Sequence, residues 1–369
     1  MPAIDRRLLQ HFNWLLLLLT ATLVSIGIAN LVSATHGTTS GDFSPEVRRQ
    51  LISVAIGAAG LVAALLFDYH RLERLAIPIY VVTNLLLAST LVLAPMTRGN
   101  SAWLTFGPVR VQPSEFAKIG LVMALAWTFH RHPPQEIRRL RDLWRPGLVI
   151  ALPVGLIVLQ KDMGVALLTV LVGATYLPFV RVPWKAWAGV ALAAVAGLVG
   201  LWSFVLAEYQ RKRILDFLDP GRDPLASGYQ AIQSKIAIGS GGLLGKGYLE
   251  GTQTQLRFLP TQHTDFIFSV LAEEWGFVGS AVVLGLYLTL LIWGLVVARR
   301  SKDGFGAMLA VGVVGAFFWP ALINIAMVLG LAPVIGVTFP LFSYGGSSLV
   351  ASLICIGLLL NVSMRRFMF

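Results

Sequence analysis

The chain has 369 residues, of which 56% are hydrophobic and only 13% are charged, and its formal net charge is +11. A soluble domain carries about 25% charged residues, and the apolar residues here fall in blocks close to the roughly 20 residues that span a bilayer. The composition therefore excludes an ordinary soluble domain. It predicts an all-α polytopic membrane protein in which residues 1–369 form one integral membrane domain.

The excess of Lys and Arg does not indicate nucleic-acid binding, since no basic run is interleaved with aromatic residues on a soluble module. Lys and Arg are instead typical of the cytoplasmic loops of membrane proteins. The single cysteine, Cys355, lies in the last apolar block and cannot form a disulfide within the chain. The sequence shows no cluster of His, Asp and Glu that would predict a metal site.

About ten transmembrane helices are predicted from the apolar blocks. In chain order they cover Trp14–Val32, Gln50–Phe67, Ile77–Ala94, Ser114–Phe129, Gly147–Leu159, Met163–Val180, Trp184–Leu206, Phe277–Val297, Gly304–Gly330 and Leu349–Val362. The first block is longer than the apolar core of a cleavable signal peptide, which predicts a retained helix. Pro153 lies inside the short fifth block and predicts a tilted, broken or partly inserted helix.

The orientation follows from the loops. With the N-terminus in the cytoplasm, the cytoplasmic segments hold sixteen Lys and Arg, and the short outer loops hold five. This asymmetry predicts that both termini are cytoplasmic. Residues 207–264, between the seventh and eighth spans, are predicted to form one large extracytoplasmic loop. Apolar stretches such as Ile232–Ile238 predict partial order in it, as short helices on the membrane surface.

Ionisable residues at the edges of spans are candidate functional residues. Glu115 and Lys118 lie three residues apart at the start of the fourth span, so they share a helix face. They form either a structural ion pair or a polar floor for a charged headgroup. Asp162, in the turn before the sixth span, either pairs with Lys161 or belongs to the site. Asn324, in the ninth span, is predicted to make a hydrogen bond between helices.

The glycine-rich segment 239–247 superficially resembles a phosphate-binding loop. A nucleotide-binding loop needs Gly, four residues, and then Gly-Lys-Ser/Thr. Here Ser240 stands at the first glycine position and Gly247 replaces the metal-binding hydroxyl. Nucleotide hydrolysis is therefore rejected, and a flexible turn near a diphosphate stays open.

Two segments flank the last spans and carry polar residues. Asp265, just before the eighth span, either caps the helix or works at the outer membrane edge. Glu273 and Glu274 precede the predicted start of that span and can anchor its polar end. The segment Phe339–Ser347 opens the tenth span, where its glycines and serines either cap the helix or expose N–H groups to an anion.

Together these motifs resemble the shape, elongation, division and sporulation family, which includes RodA and FtsW. The matching segments are Gln160 with Asp162–Gly164, Gly251–Gln255, His263–Phe268, Ala272–Glu274 and Pro340–Ser347. The similarity covers essentially the whole chain, and Gly251–Gln255 looks more like RodA. The chain departs from the family pattern at Lys161, where Pro is usual, and at Pro320, where Gln is common.

The resemblance implies a peptidoglycan glycosyltransferase of the bacterial inner membrane that polymerises lipid II during cell-wall elongation. It implies a class B penicillin-binding protein as partner within the bilayer. It also implies that Asp265 is the essential acidic residue and supports Trp103 as a functional position.

The chemistry assigns roles to the other candidates. A carboxylate at Asp265 would act as general base toward an acceptor hydroxyl, and Arg110, Lys118 and Arg213 would stabilise a leaving diphosphate. The predicted substrate-binding residues are Trp103, Arg110, Glu115, Lys118, Asp162, Arg213, Ser343, Gly345, Gly346 and Ser347. The sequence identifies no cofactor, although a leaving diphosphate often recruits a divalent cation such as Mg²⁺ or Mn²⁺.

Two other functions fit a ten-span chain. A lipid II flippase needs a path across the bilayer midplane, whereas Asp265 is predicted at the outer edge. A scaffold for wall synthesis would need no catalytic residue. For the partner surface, the ninth and tenth spans are expected to be favoured, because Gly304, Gly306, Gly312 and Gly315 permit close approach of a second helix.

Overall fold

The computed structural model describes residues 12–36, 43–67, 69–96, 100–107, 109–133, 137, 139–200, 203, 208–218 and 227–365. The described chain is predominantly helical. Its helices are α1 Trp14–Ala34, α2 Pro45–Leu66, α3 Tyr69–Leu93, α4 Pro113–Arg131, α5 Trp144–Leu159, α6 Met163–Ala174, α7 Trp184–Gly200, α8 Glu208–Leu218, α9 Ser227–Ser240, α10 Thr252–Gln255, α11 Ile267–Arg300, α12 Gly304–Val328 and α13 Gly346–Arg365. Short 3₁₀ turns at Leu140–Leu143 and Leu177–Phe179 complete the helical elements.

One β-hairpin lies between α3 and α4 in the described chain. Its strands, β1 Leu104–Phe106 and β2 Val109–Val111, are antiparallel, and Thr105 pairs with Arg110. The turn between them includes Gly107 in a left-handed conformation at φ 59°, which glycine adopts without steric cost. The hairpin brings Arg110 to the start of α4.

The chain is a multi-pass membrane protein. Within the described residues, seven helices are long and apolar enough to cross a membrane, namely α1, α2, α3, α5 with the preceding 3₁₀ turn, α11, α12 and α13. The fourth, sixth and seventh predicted spans overlap α4, α6 and α7. Helix α6 ends at Ala174, before the predicted end of the sixth span at Val180, and residues 201–202 and 204–206 of the seventh predicted span lie outside the described residues. Helix α4 is more polar because Glu115 and Lys118 lie in it, but α3 and α12 cover it, so most of its side chains avoid lipid.

The core is built around α13, which packs along α2 and also contacts α4 and α12. Close approach depends on small residues at the contact. A methyl group added at Gly357 would lie 2.8 Å from the Leu61 carbonyl oxygen and 2.9 Å from the Ala64 side chain. A methyl group added at Gly57 would overlap Leu353. Because glycine has no side chain, the backbones of α2 and α13 approach each other closely at these positions.

The expectation that glycines of the ninth span form a free partner surface is wrong for the pair deepest in the helix. A methyl group at Gly312 would overlap Tyr176 and Val122, and one at Gly315 would overlap Thr175. These positions face α4 and the end of α6 within the same chain. Small residues permit close helix contact, but their spacing does not indicate which helix they contact.

Helix α11 begins at Ile267, ten residues before the predicted start of the eighth span. The predicted start at Phe277 coincides with a break in the helix at Gly276. The helical segment before the break, Ile267–Trp275, was not predicted, because Glu273 and Glu274 look too polar to belong to a span. Glu273 is fully buried, and its carboxylate accepts hydrogen bonds from Lys246 Nζ at 2.8 Å and from the backbone N–H groups of Gln253 and Thr254 at 2.8 and 3.0 Å. The buried charge of Glu273 is therefore compensated by residues that are distant from it in sequence.

The glycine-rich segment 239–247 docks on a break in α11. Gly276 interrupts the helix with φ 64° and ψ −163°, a conformation that favours glycine. At the break, Phe277 N–H donates to the Gly242 carbonyl at 2.9 Å, and Gly247 N–H donates to the Glu274 carbonyl at 3.0 Å. The segment therefore supplies the hydrogen bonds that the broken helix lacks, and it does not line the large cavity described below.

The helix contact between α2 and α13 generates a stability prediction. Replacing Gly357 with Val should lower the free energy of unfolding by about 1–3 kcal/mol, the usual effect of overpacking, because the new side chain meets the backbone at Leu61. The matched control is Gly155→Val in α5, where an added methyl meets no atom within 4 Å. Thermal unfolding in detergent measures both variants. An unchanged melting temperature for Gly357→Val would contradict the packing described here.

Candidate functional site

Five helices begin around one cavity of about 1920 Å³. Glu46 lies in the first turn of α2, Glu115 in the first turn of α4, and Ser347 in the first turn of α13. Asp162 is the N-cap of α6, and Asp265 lies two residues before α11. All five residues line the cavity. Since each helix N-terminus carries about half a positive charge, the cavity is suited to an anion.

Asp265 is not the N-cap of α11. That position belongs to Phe266, whose side chain cannot accept a hydrogen bond. Asp265 is partly exposed in the cavity, and a methyl group added at Gly336 would lie 3.6 Å from its Oδ2. Gly336 has φ 74°, a backbone conformation that favours glycine.

Asn324 fixes the backbone of this segment. Its buried amide Nδ2 donates to the Asp265 carbonyl oxygen at 2.8 Å and to the Val337 carbonyl oxygen at 2.6 Å. One side chain in α12 therefore joins the segment that carries Asp265 to the segment that contains Gly336. Asn324 was predicted to bond to another helix; it does make buried hydrogen bonds, but its partners are backbone atoms of two loops.

The entry to α13 is tied to the same segment and to α2. Tyr344 N–H donates to the His263 carbonyl at 3.0 Å, and the two rings meet edge-on with centroids 5.6 Å apart. Gln50 bridges the entry, since its amide donates to the Ser343 carbonyl at 3.1 Å and accepts from the Gly345 N–H at 3.2 Å. These bonds hold three walls of the cavity in one arrangement.

His263 is a cavity residue that the sequence analysis left without a role. Burial lowers the pKa of the His263 imidazole, and the Glu46 carboxylate opposes this effect. Burial therefore favours the neutral form of the ring. Its place two residues before Asp265 was visible in the sequence, but its packing on Tyr344 depends on the fold.

The remaining acidic candidates interact on the cavity floor. Lys118 Nζ donates to Glu115 Oε1 at 2.9 Å, so these residues form the predicted ion pair and also line the cavity. The Asp162 carboxylate accepts from the Val165 N–H at 3.2 Å. Burial raises the pKa of Asp162, the Val165 bond and the charge of Lys118 lower it, and the charge of Glu115 raises it.

The structure brings nearly all predicted site residues together. Those that line the cavity are Trp103, Arg110, Glu115, Lys118, Asp162, Arg213, Asp265, Gly345, Gly346 and Ser347. Ser343 does not line it. Its buried Oγ accepts from the Phe339 N–H at 2.9 Å, which gives this serine a structural role in the turn. Ser347 Oγ accepts from the Gln112 N–H at 3.0 Å, joining α13 to the start of α4.

Basic side chains surround the cavity and outnumber its carboxylates. The described cations are Arg49, Arg110, Lys118, Lys161 and Arg213, and the carboxylates are Glu46, Glu115, Asp162 and Asp265. Arg213 in α8 donates to the Val334 carbonyl at 3.3 Å, so part of the long 207–264 segment forms a cavity wall. Arg49 was missed by the sequence analysis, although its place just before the second span was a signal.

Within the described ranges, no group of three or more His, Cys, Asp and Glu residues is arranged to hold a metal ion. A divalent cation brought by a diphosphate stays a prediction. Asp162 and Glu115, whose charges act on one another, are carboxylates of the cavity that could bind such a cation.

A family model described as a cell cycle protein of the FtsW, RodA and SpoVE type matches residues 10–367. The chain belongs to this family. It is 40% identical over 332 residues to the peptidoglycan glycosyltransferase MrdB of Escherichia coli K12, covering 89% of this chain and 88% of the relative. It is 33% identical over 430 residues to the peptidoglycan glycosyltransferase RodA of Treponema pallidum, covering 97% and 98%.

Solved structures of family members share the fold. A chain from a peptidoglycan synthase complex, described as coordinating polymerization and crosslinking, matches with a TM-score of 0.80 and 37% identity, covering 97% of this chain and 99% of that one. The rod shape determining protein RodA of Thermus thermophilus matches with a TM-score of 0.71 and 32% identity, covering 97% and 98%. The resemblance of the motifs to this family is therefore confirmed over the whole fold.

The two hydrogen bonds that Asn324 donates to the Asp265 and Val337 carbonyls lead to a prediction about activity. Asn324→Leu should lower kcat per folded molecule by at least about 10-fold, since misplacing a reacting group by 1 Å costs about 10²-fold. The matched control is Asn361→Leu, which removes a buried amide that donates to the Ala64 and Phe67 carbonyls away from the cavity. Both variants should melt earlier, and only Asn324→Leu should lose kcat. An equal loss of kcat in both variants would show that Asn324 only stabilises the fold and does not position Asp265.

Proposed function

We propose that this chain is a peptidoglycan glycosyltransferase that polymerises lipid II into glycan strands. The single observation that carries the proposal is the convergence of five helix N-termini and a set of basic side chains on one cavity that contains Asp265. Relatives that are similar over nearly the whole chain carry the same activity in their names.

The cavity fits a lipid-linked sugar diphosphate. Helix N-termini and basic side chains favour the diphosphate, and Lys118, Arg110 and Arg213 are the proposed contacts. Trp103 offers an aromatic face to a sugar ring. The Ser101 N–H in the same segment donates to the Gln160 carbonyl at 3.1 Å, which ties this segment to the turn that carries Asp162.

Asp265 is the proposed general base. The 4-hydroxyl of the acceptor sugar attacks the anomeric carbon of the donor, Asp265 takes the hydroxyl proton, and the lipid diphosphate leaves with its bonding electrons. Proton removal in the transition state contributes about 10²–10⁴-fold. The diphosphate carries away negative charge, which the cations and helix N-termini stabilise. The proposed base and the cations that would stabilise the leaving diphosphate therefore line the same cavity.

Direct displacement inverts the anomeric centre. Retaining sugar chemistry usually requires two carboxylates about 5–5.5 Å apart, one of which is the nucleophile. Asp162 is the other candidate for a second carboxylate, but it caps α6 and interacts with the charges of Glu115 and Lys118. We assign Asp162 to substrate binding. A lipid II flippase remains the alternative, and it would move substrate without joining sugars.

Topologically, we propose ten spans in one integral membrane domain, in which α4, α6 and α7 join the seven apolar helices. In this arrangement both termini are cytoplasmic, and the cavity opens on the outer side, where residues 207–264 form the large extracytoplasmic loop. The terminal segments 1–11 and 366–369, and residues 207 and 219–226 of the loop, lie outside the described residues.

A class B penicillin-binding protein is the proposed partner, since the structural neighbour belongs to a peptidoglycan synthase complex. Such a transpeptidase would crosslink strands as they leave the outer side. Because α11 has exposed apolar positions such as Phe277 and Leu288, it is a better membrane contact for a partner than the buried glycines of α12.

Replacing the base tests the proposed mechanism. Asp265→Asn keeps the shape of the side chain and removes its basicity, so polymerisation should fall by about 10²-fold or more while lipid II binding and the melting temperature persist. Gel separation of glycan products from labelled lipid II measures the first effect. The control is Asp303→Asn, the N-cap of α12, which should stay active. If Asp265→Asn polymerised at the unmodified rate, Asp162 would replace Asp265 as the candidate base.

Cysteine labelling tests the topology. In a Cys355→Ser background, single cysteines at Leu256 and Lys302 should react with a membrane-impermeant reagent from opposite sides, because Leu256 belongs to the proposed outer loop and Lys302 to the turn between α11 and α12. Leu256 is exposed at 65%, so its replacement disturbs little packing. Reaction of both positions from the same side would refute the orientation.

A further inference from the structure

The first turn of α2 forms one wall of the cavity and carries charges of both signs. Glu46 and Arg49 lie three residues apart there, so they share a helix face, and both line the cavity. Arg49 is exposed and Glu46 is half-buried. The neighbouring Arg48 is exposed but does not line the cavity. We name Glu46 and Arg49 the α2 pair, and the proposed glycosyl transfer gives neither residue a role.

The two charges of the α2 pair do not neutralise each other. A Glu and an Arg at this spacing on a helix are close enough to form an ion pair. Among the ion pairs of the described residues, however, none joins Glu46 to Arg49. The carboxylate and the guanidinium therefore both stay available to a ligand in the cavity.

Hydrogen bonds hold this turn of α2 in place. Ser44 caps the helix, because its hydroxyl oxygen accepts from the Val47 N–H at 3.3 Å. Gln50, which follows Arg49 in the chain, bridges two backbone groups at the entry to α13. A binding group is most accurate on a rigid element whose position is fixed by its neighbours. The backbone of the α2 pair meets this condition.

The charge balance of the α2 pair differs from that of the rest of the cavity. The other described charges that line it are the cations Arg110, Lys118, Lys161 and Arg213 and the carboxylates Glu115, Asp162 and Asp265. That excess of cations suits a diphosphate. At the α2 pair a diphosphate would be attracted by Arg49 and repelled by Glu46. The pair is better suited to a ligand that carries both a carboxylate and an amine.

Uncharged rings continue the wall beside the α2 pair. The charge of Glu46 acts on the His263 imidazole, so these two groups lie close together. The His263 ring meets the Tyr344 ring edge-on, and both residues line the cavity. Such rings offer a large surface for packing and can also form hydrogen bonds. The wall therefore combines two opposite charges with a surface on which an uncharged chain can pack.

We propose that the α2 pair binds the peptide of lipid II. Lipid II carries a short peptide on one of its sugars, and this peptide has carboxylates and an amine. The Arg49 guanidinium binds a peptide carboxylate with its planar set of N–H donors, and the Glu46 carboxylate accepts from the peptide ammonium. The inference rests on the proposed function, because the ligand is the substrate of that reaction.

The size of the cavity agrees with a third part of the substrate. A pocket for a drug-sized molecule has a volume of about 300–1,000 Å³, and this cavity has about 1920 Å³. The diphosphate and the sugars occupy the part near Lys118 and Asp265 in the proposed mechanism. The α2 wall is left for the peptide, which makes the α2 pair a determinant of substrate specificity.

The affinity of the full chain for two forms of lipid II, one with the peptide and one without it, tests the proposal. An Asp265→Asn background keeps the substrate from being consumed. With the α2 pair intact, the form with the peptide should bind about 10-fold more tightly, as expected for two partly exposed ion pairs of about 3-fold each. Arg49→Gln should lower this ratio by about 3-fold, and Glu46→Gln with Arg49→Gln should bring it near one. The matched control is Arg48→Gln, which should keep the full ratio.

A third form of lipid II, with its peptide carboxylates converted to amides, identifies the group that Arg49 binds. Amidation should weaken binding by about 3-fold when Arg49 is present. It should have no further effect in Arg49→Gln, because the loss of either partner removes the same contact. If Arg49 bound the diphosphate instead, Arg49→Gln would weaken the forms with and without the peptide equally, and the proposal would be overturned.

The measurements separate this proposal from the proposed function. Equal affinity for lipid II with and without the peptide would overturn the α2 pair as a peptide site, even if the unmodified protein polymerised both forms. A full ratio in Arg49→Gln, with an unchanged melting temperature, would overturn it as well. Glycan polymer made by the unmodified protein tests the glycosyltransferase activity alone, since the binding ratio does not depend on turnover.

Discussion

The cavity depends on the placement of five helix N-termini at one end of the bundle. Each N-terminus exposes N–H groups that have no partner within its own helix, and together they create a positive potential before any side chain is added. Glu115, Asp162 and Asp265 stand at three of these ends, where a carboxylate is stabilised. The same geometry therefore holds the acidic residues in a membrane protein and attracts an anionic substrate.

The convergence of the helix N-termini does not fix the position of Asp265, because Asp265 lies on a loop. Hydrogen bonds from side-chain amides to loop backbone atoms restrain it. Asn324 clamps the Asp265 and Val337 carbonyls, and Gln50 bridges Ser343 and Gly345. These amides lie in helices whose positions are set by packing. A catalytic carboxylate on a loop is held accurately when rigid elements bind the loop on several sides. Buried polar residues of the spans are thus used to position the site.

Much of the fold was readable from the sequence because a bilayer imposes one length and one composition on each span. The ten apolar blocks each correspond to a helix. The helical segment of α11 before its break at Gly276 was missed because the partners of Glu273, including Lys246 and Thr254, lie about 20 or more residues away in sequence. The glycines at 312 and 315 were misassigned because small residues look the same whether their neighbour is within the chain or outside it.

The family motifs predicted more of the site residues than the spacing of charged residues along the chain did. Lys118 and Glu115 could be paired from their helical spacing alone. That they share a cavity with Asp162, Asp265 and Ser347 required tertiary structure, since these residues come from four helix starts spread over the chain. Ser343 and Ser347 look alike in sequence. Their roles differ because one turns inward to the Phe339 N–H, and the other faces the cavity.

The most direct test of the account uses the purified protein in vesicles with labelled lipid II, with and without a class B penicillin-binding protein. Glycan polymer and transfer of lipid II between leaflets are measured in the same preparation. The account predicts glycan strands whose linkage is inverted relative to the donor. Transfer of lipid II between leaflets without any polymer, in both the presence and absence of the partner, would contradict it and identify the chain as a flippase.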